Sequence, residues 1–231
     1  MIEIKGNKII DLTHTMYHDM PGWPTHPILS ISQLKQINID GYNVKQLTIN
    51  THHGTHFDAP AHMIENGTTL DKVELSKFIG SGIVVNLSYK KDGEAIERDD
   101  LNAFSINDGD IVMLYTGWSN FRGFNQKYLY RWPYLGVTGA RYLSEKNIKL
   151  VGIDTLSIGA WGGKTAVADP IADTAKDVHE VLLSKNILIL EEVANLDQVL
   201  GKEKEVRAYF VILPLKIKDS DGSPARAIAI L

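Results

Sequence analysis

The chain has 231 residues, 44% of them hydrophobic and 23% charged, with a formal net charge of −4 and no cysteine. That size and composition fit one globular domain over residues 1–231 and exclude a disordered chain, while the scattered lysines and arginines exclude a broad basic face for nucleic acid or a membrane surface. The lack of cysteine excludes disulfides and thiolate ligands, so any metal must be held by nitrogen and oxygen. Small molecules are the expected partners, with no nucleic acid and no membrane. The segment Met1 to Leu12 lacks the basic start and continuous apolar run of a signal peptide, and a cytoplasmic location is expected.

Ile2, Ile4 and Ile9 to Leu12 around Gly6-Asn7 predict a short opening hairpin or strand pair. Residues 13–27, with three prolines, a glycine and three histidines, predict a long irregular loop, the kind of segment that often carries function. Within it Trp23 is either a packing anchor or an aromatic wall for a flat substrate. His14, His18 and His26 share no spacing and read as structural or exposed. Apolar and polar residues then alternate over Ile28 to Ile39 and, after Gly41-Tyr42-Asn43, over Val44 to Asn50, predicting two strands.

The second strand runs into His52-His53-Gly54-Thr55-His56-Phe57-Asp58-Ala59-Pro60-Ala61-His62, which holds four of the eight histidines. Imidazole and carboxylate are the ligands that zinc, manganese and iron take from proteins. Any one of these histidines is most simply a solvated loop residue, but four with an aspartate argue for a site. His52, His56, Asp58 and His62 fall on even positions, which an extended chain would put on one face, with Phe57 and Ala59 towards the core. A helix is disfavoured by Gly54 and Pro60. Along a strand His52 and His56 would stand about 13 Å apart, so both reach one ion only if the chain curls, and Gly54 is the natural place for it.

Further on, Thr69 to Leu75 predicts a short helical turn, Ile83 to Leu87 a strand, Glu97 to Phe104 a brief helix and Ile111 to Tyr115 a strand. Trp118, where that strand opens into a loop, reads first as a packing residue and second as a binding group. Residues 120–133 interleave aromatic and basic side chains, but their small charge argues against a nucleic-acid surface. A helix from about Thr138 to Asn147 leads to a buried strand, Lys149 to Asp154. Asp173-Thr174-Ala175 can start a helix carrying Val178, His179, Leu182 and Leu183 on one face. The apolar strand Ile187 to Glu192 ends in two acids, and Glu191, on the face of Ile187 and Ile189, needs a partner such as a cation. Val206 to Leu215 and Ala225 to Leu231 predict strands joined by a turn over Asp219 to Pro224.

The stretch His52 to His62 matches every fixed position of the motif His-x-Gly-Thr-His-x-Asp-x-Pro-x-His, and the chain thereby resembles the metal-dependent cyclase family that includes bacterial kynurenine formamidase and isatin hydrolase. The resemblance extends through Asp11-Leu12-Thr13, Trp23-Pro24, Thr116-Gly117-Trp118, Gly152 to Thr155 with Ser157, His179 to Glu191, and Gly222 to Arg226. It implies a mixed α/β fold with a β-rich, barrel-like core of the swivelling β/β/α type, flanking helices, and a homodimer. It also implies that His52, His56 and Asp58 ligate a first divalent ion, zinc or manganese. His179 and Glu191 join a second, Asp58 and Glu191 are able to bridge, and His62 takes the catalytic position. The chain departs from the resemblance at Trp23-Pro24-Thr25-His26, where Trp-Pro-Gly-Asp is common, and at Gly159, where an aspartate is common. Both departures bear on the substrate more than on the chemistry.

The implied reaction is hydrolysis of a small aryl amide: a metal-polarised carbonyl, a metal-activated water, and His62 passing a proton to the leaving nitrogen. N-formylkynurenine, giving kynurenine and formate, is the first candidate, a cyclic amide such as isatin the second, and Trp23 and Trp118 are the candidate stacking residues. Two histidines and a carboxylate also describe non-haem iron oxygenases, but that reading leaves His179 and Glu191 without a role. A non-catalytic metal-binding protein would leave His62 without one.

Overall fold

The computed structural model describes residues 8–163 and 172–231. The predicted opening hairpin falls largely on residues 1–7 and lies outside the described residues; its last part forms β1 (Ile9–Asp11), which pairs with the C-terminal strand instead. The hairpin β2 (Ser30–Lys35) and β3 (Val44–Thr48) carries a single helical turn, α1 (Ile37–Asp40), at its tip. Next come β4 (His56–Asp58), β5 (Ile79–Asn86), β6 (Ala95–Ile96), α2 (Arg98–Leu101) and β7 (Ile111–Tyr115). The chain continues through α3 (Gln126–Tyr130), β8 (Tyr134–Leu135), α4 (Val137–Glu145), β9 (Leu150–Ile153), α5 (Ala175–Leu183) and β10 (Leu188–Glu191). It ends with α6 (Leu196–Leu200), β11 (Glu205–Pro214) and β12 (Gly222–Ile230).

Seven strands close into a barrel in the order β12-β11-β5-β7-β9-β10-β4, with β4 returning to β12. The run β5-β7-β9-β10 is parallel and the remaining pairings are antiparallel. Closure depends on β12, whose first residues, Gly222 to Pro224, pair with β4 while its last pair with β1. The predicted turn over Asp219 to Pro224 is therefore shorter: residues 222–224 are strand, because β4 supplies their hydrogen-bonding partner.

Alternation along each strand separates two cores. Phe57, Met113, Leu188, Leu190, Phe210 and Ala227 fill the barrel, and α6 plugs one end with Leu196, Val199 and Leu200. Outward residues such as Val112, Val151 and Ile189 pack beneath α4 and α5 through Leu143, Val178 and Leu182. His56 and Asp58 flank the inward Phe57, and Glu191 is in step with the outward Ile189. The acids and imidazoles thus emerge on the outer barrel wall, under α5. Among the described residues no helix is long and apolar enough to cross a membrane.

Of the aromatic segment after β7, Trp118, Tyr128, Trp132 and Tyr134 fold inward as a third cluster, while Phe121 and Phe124 stay exposed. Residues 126–130 form the helix α3, started by Asn125, whose side chain accepts from the Tyr128 amide. Helix α5 begins where Asp173-Thr174-Ala175 predicts, but the Thr174 hydroxyl accepts from the Ala160 amide rather than capping its own helix.

Candidate metal centre and active site

Only residues 56–58 of the histidine-rich stretch are strand; 51–55 are turns and Pro60–His62 is one turn of 3-10 helix. The even spacing therefore sets a shared face only for His56 and Asp58. His52 arrives by the curl expected at Gly54, whose φ of +64° lies in the left-handed region that glycine occupies without strain. His62 arrives by the bend at Pro60.

Across the β4–β10 ladder Glu191 is the direct partner of His56, and Ile189 of Asp58. From α5, His179 reaches down between the two carboxylates, its Nε2 lying 3.3 Å from Asp58 Oδ2 and 3.4 Å from Glu191 Oε1. His56 Nε2 lies 3.5 Å from Asp58 Oδ1 and 3.6 Å from Glu191 Oε2. These separations are long for hydrogen bonds but match the roughly 3.3 Å between two ligands of one tetrahedral ion with bonds of about 2.0–2.1 Å. Asp58 Oδ2 is buried without a hydrogen-bond partner among the described residues, as an oxygen reserved for a cation would be.

Backbone carbonyls aim both imidazoles. His56 Nδ1 donates to Gly54 O at 2.7 Å and His179 Nδ1 to Ala175 O at 2.6 Å, so each ring turns its Nε2 to the site. Glu191 is aimed in turn: its Oε1 accepts from the Ser157 hydroxyl at 2.9 Å and the Ile158 amide at 2.7 Å, leaving Oε2 towards His56. The residues present fit a divalent ion.

The electrostatics agree. Burial works to lower the His179 pKa, yet the facing carboxylates of Asp58 and Glu191 push it up to about 10. Burial likewise opposes a proton on His52, but Asp221 and Asp58 raise it to about 10. Burial works to raise the Asp58 pKa, and the hydrogen bonds from His179 and His52 nonetheless hold it well below the usual carboxylate range. Buried carboxylates here demand positive charge, which protonated imidazoles or a metal can supply.

His52, His56, His62, His179 and Glu191 thus converge on one cleft, with Asp58 buried against three of its histidines, although Glu191 lies 139 residues after His52 (191 minus 52). Trp23 lines the same cleft and is held there by Trp132 and Trp161, with ring centroids at 6.1 and 5.2 Å. Trp118 does not join it. It is buried to 3% exposure against Phe121 and under Lys127, a packing position.

His26 is exposed, one of the two readings its sequence allowed, and it also lines the cleft, its ring 6.4 Å from that of His52. One residue escaped the sequence reading. Asp221 sits between two site histidines: its Oδ2 is 2.8 Å from His52 Nε2 and 3.3 Å from His62 Nδ1. In sequence it belongs to a polar turn, and nothing local marks it.

The cyclase family model matches residues 10–160. The chain belongs to this family. Kynurenine formamidase from Geobacillus thermodenitrificans is 31% identical over 223 residues, covering 96% of each chain. Isatin hydrolase A from Labrenzia aggregata superposes with a TM-score of 0.82 at 27% identity, over 97% of this chain and 93% of that one. A structure described as a predicted metal-dependent hydrolase from Bacillus stearothermophilus gives a TM-score of 0.74 at 28% identity, over 96% and 97%. These relatives make this cyclase-family chain a hydrolytic enzyme, and the shared barrel is the fold expected from its motif.

Proposed function

We propose that this cyclase-family protein is a metal-dependent amide hydrolase acting on a small aryl amide, with N-formylkynurenine, giving kynurenine and formate, as the first candidate. One observation carries the reading: four side chains from three elements meet at ligand-to-ligand spacing, with a histidine outside that set beside them in an aromatic-walled cleft. His52, His56 and Asp58 would hold a first ion, and Asp58, His179 and Glu191 a second, with zinc and manganese the metals suited to such donors. When bound, a divalent ion polarises the amide carbonyl and lowers the pKa of a coordinated water towards neutrality.

The chain's own residues do the rest. His62 presents Nδ1 to Asp221 and so keeps Nε2 for the cleft, where it takes a proton from the attacking water and returns it to the leaving nitrogen as the C–N bond breaks. Glu191 and Asp58, buried and anchored, keep the metal-binding face fixed during that exchange. Trp23 offers a flat apolar wall for the aryl group.

A cyclic amide such as isatin is the second reading, favoured by the superposition on isatin hydrolase A. Hydrolysis of N-formylkynurenine, simple anilides and isatin by zinc- and manganese-loaded protein tests both. Turnover of none of them would overturn the aryl-amide reading. We also infer a homodimer, for which the exposed apolar side chains of the β2–β3 hairpin, Leu34, Ile37, Ile39 and Leu47, give support. Sedimentation at a monomer's mass would refute it.

A further inference from the structure

One oxygen of the Asp221 carboxylate serves two histidines of the site, one a candidate ligand and the other the candidate proton carrier. Its Oδ2 lies 2.8 Å from His52 Nε2 and 3.3 Å from His62 Nδ1, and the two rings sit side by side with centroids 4.2 Å apart, tilted by 40°. Its Oδ1 accepts from the Thr51 hydroxyl at 3.0 Å, so the group is held from behind. Its backbone carbonyl accepts the Ala59 amide at 2.8 Å, and the next residue, Gly222, is the ladder partner of Asp58. A Cβ at Gly222 would stand 2.8 Å from His52 Cε1 and 2.5 Å from Phe57 O, so the His52 ring lies on bare backbone. Barrel closure and the carboxylate are thus one construction.

A neutral imidazole has a single N–H, and an acid that accepts it decides which nitrogen keeps the lone pair. Asp221 takes the N–H of both rings. With its Nε2 held by Asp221, His52 turns Nδ1 to the ligand side, where it meets Asp58 Oδ1 at 2.8 Å, and His62, held through Nδ1, has Nε2 left for the cleft that it lines.

We infer that Asp221 is a positioning residue that sets the tautomer and orientation of both His52, as metal ligand through Nδ1, and His62, as proton carrier through Nε2. This rests on the metal-dependent hydrolase reading. It couples the two functions, because a disturbance of Asp221 must reach metal binding and proton transfer together. The competing role is direct ligation, since His52, His62 and Asp221 also lie close enough to hold an ion by themselves.

The test compares the wild-type protein with Asp221→Ala, Asp221→Asn and Thr51→Val. Zinc affinity is read by competition with a chromophoric chelator, zinc content at saturation by elemental analysis, and kcat and KM with N-formylkynurenine. For Asp221→Ala the expected result is full zinc content at saturation, zinc affinity lower by about 10–100-fold, and kcat lower by a similar factor with KM little changed. Thr51→Val, which keeps the carboxylate but loosens it, should move both quantities in the same direction by less, and it carries the test if the Asp221 variants do not fold. Loss of a whole equivalent of zinc at saturation in Asp221→Ala makes Asp221 a ligand and overturns the inference. Unchanged affinity and kcat in the folded variants overturn it as well. Failure of the wild-type protein itself to bind zinc would instead overturn the hydrolase reading and this inference with it, whereas an inactive wild type that binds zinc leaves the affinity measurement to decide.

Discussion

Glu191 and His56 are direct partners across the β4–β10 ladder, yet their facing atoms, Oε2 and Nε2, stop 3.6 Å apart. Two strands of a closed barrel hold that separation, so the pair cannot collapse into a short hydrogen bond without shifting the wall. A gap of this size suits side chains that would serve as metal ligands rather than as each other's partners. Glu191→Gln retains the size of the side chain and an oxygen for Ser157 and Ile158 while removing the charge. The expected outcome is retained fold by circular dichroism and a fall in metal affinity beyond the roughly 10–100-fold typical of an outer partner. Chelator competition measures it, and wild-type affinity in the variant would remove Glu191 from the ligand set.

His62 should show the opposite pattern. It stands beside the ligands, hydrogen-bonded to Asp221, with its free nitrogen to the cleft. His62→Ala is expected to keep its metal content and lose roughly 10²–10⁴-fold in kcat, the usual contribution of a general acid and base. Elemental analysis alongside steady-state kinetics separates the two effects. Metal loss in step with activity would turn His62 into a ligand.

Much of this was legible because the determinants are local. Apolar runs mark β7 and β10, and the period of Val178, His179, Leu182 and Leu183 marks α5. The histidine motif marks the cluster by its composition, and the left-handed Gly54 supplies the curl that brings His52 to His56 and Asp58. Other features depend on distant partners. Pairing of Gly222 to Pro224 with β4 turns an apparent loop into strand, and the same closure brings Asp221 to residues 169 and 159 positions earlier. His26 and Trp118 look alike in sequence, each a ring in a polar stretch, and only packing sends one to the cleft and the other to the core.

Behind the site, Glu192 adopts a φ of +51°, uncommon for a residue with a side chain. Its carboxylate is buried and accepts from Arg122 Nε at 2.8 Å and the Tyr128 hydroxyl at 2.9 Å, while its carbonyl accepts from Thr55. Arg122→Met strands that carboxylate and should cost about 3–5 kcal/mol, as breaking one side of a buried pair does. Urea denaturation measures the loss. Adding Glu192→Met should recover part of it, and a double variant as unstable as the sum of the singles would mean that the two residues act independently.

The pH dependence of metal binding follows from the same carboxylates. In the metal-free protein His52 and His179 are raised from 6.5 to about 10, against burial, His52 by hydrogen bonds to Asp221 and Asp58 and His179 by the facing carboxylates of Asp58 and Glu191. A base with a raised folded pKa stabilises the fold fully below its unfolded value and loses that contribution as pH rises through the folded one. The metal-free protein should therefore lose stability between about pH 6.5 and 10. A metal ion needs both imidazoles neutral, so binding in that window must expel their protons, and affinity should climb with pH. Titration calorimetry near pH 8, in two buffers of different ionisation enthalpy, should show release approaching two protons per chain, one from each histidine. An apparent enthalpy independent of buffer would show that the cleft holds its imidazoles neutral before the ion arrives.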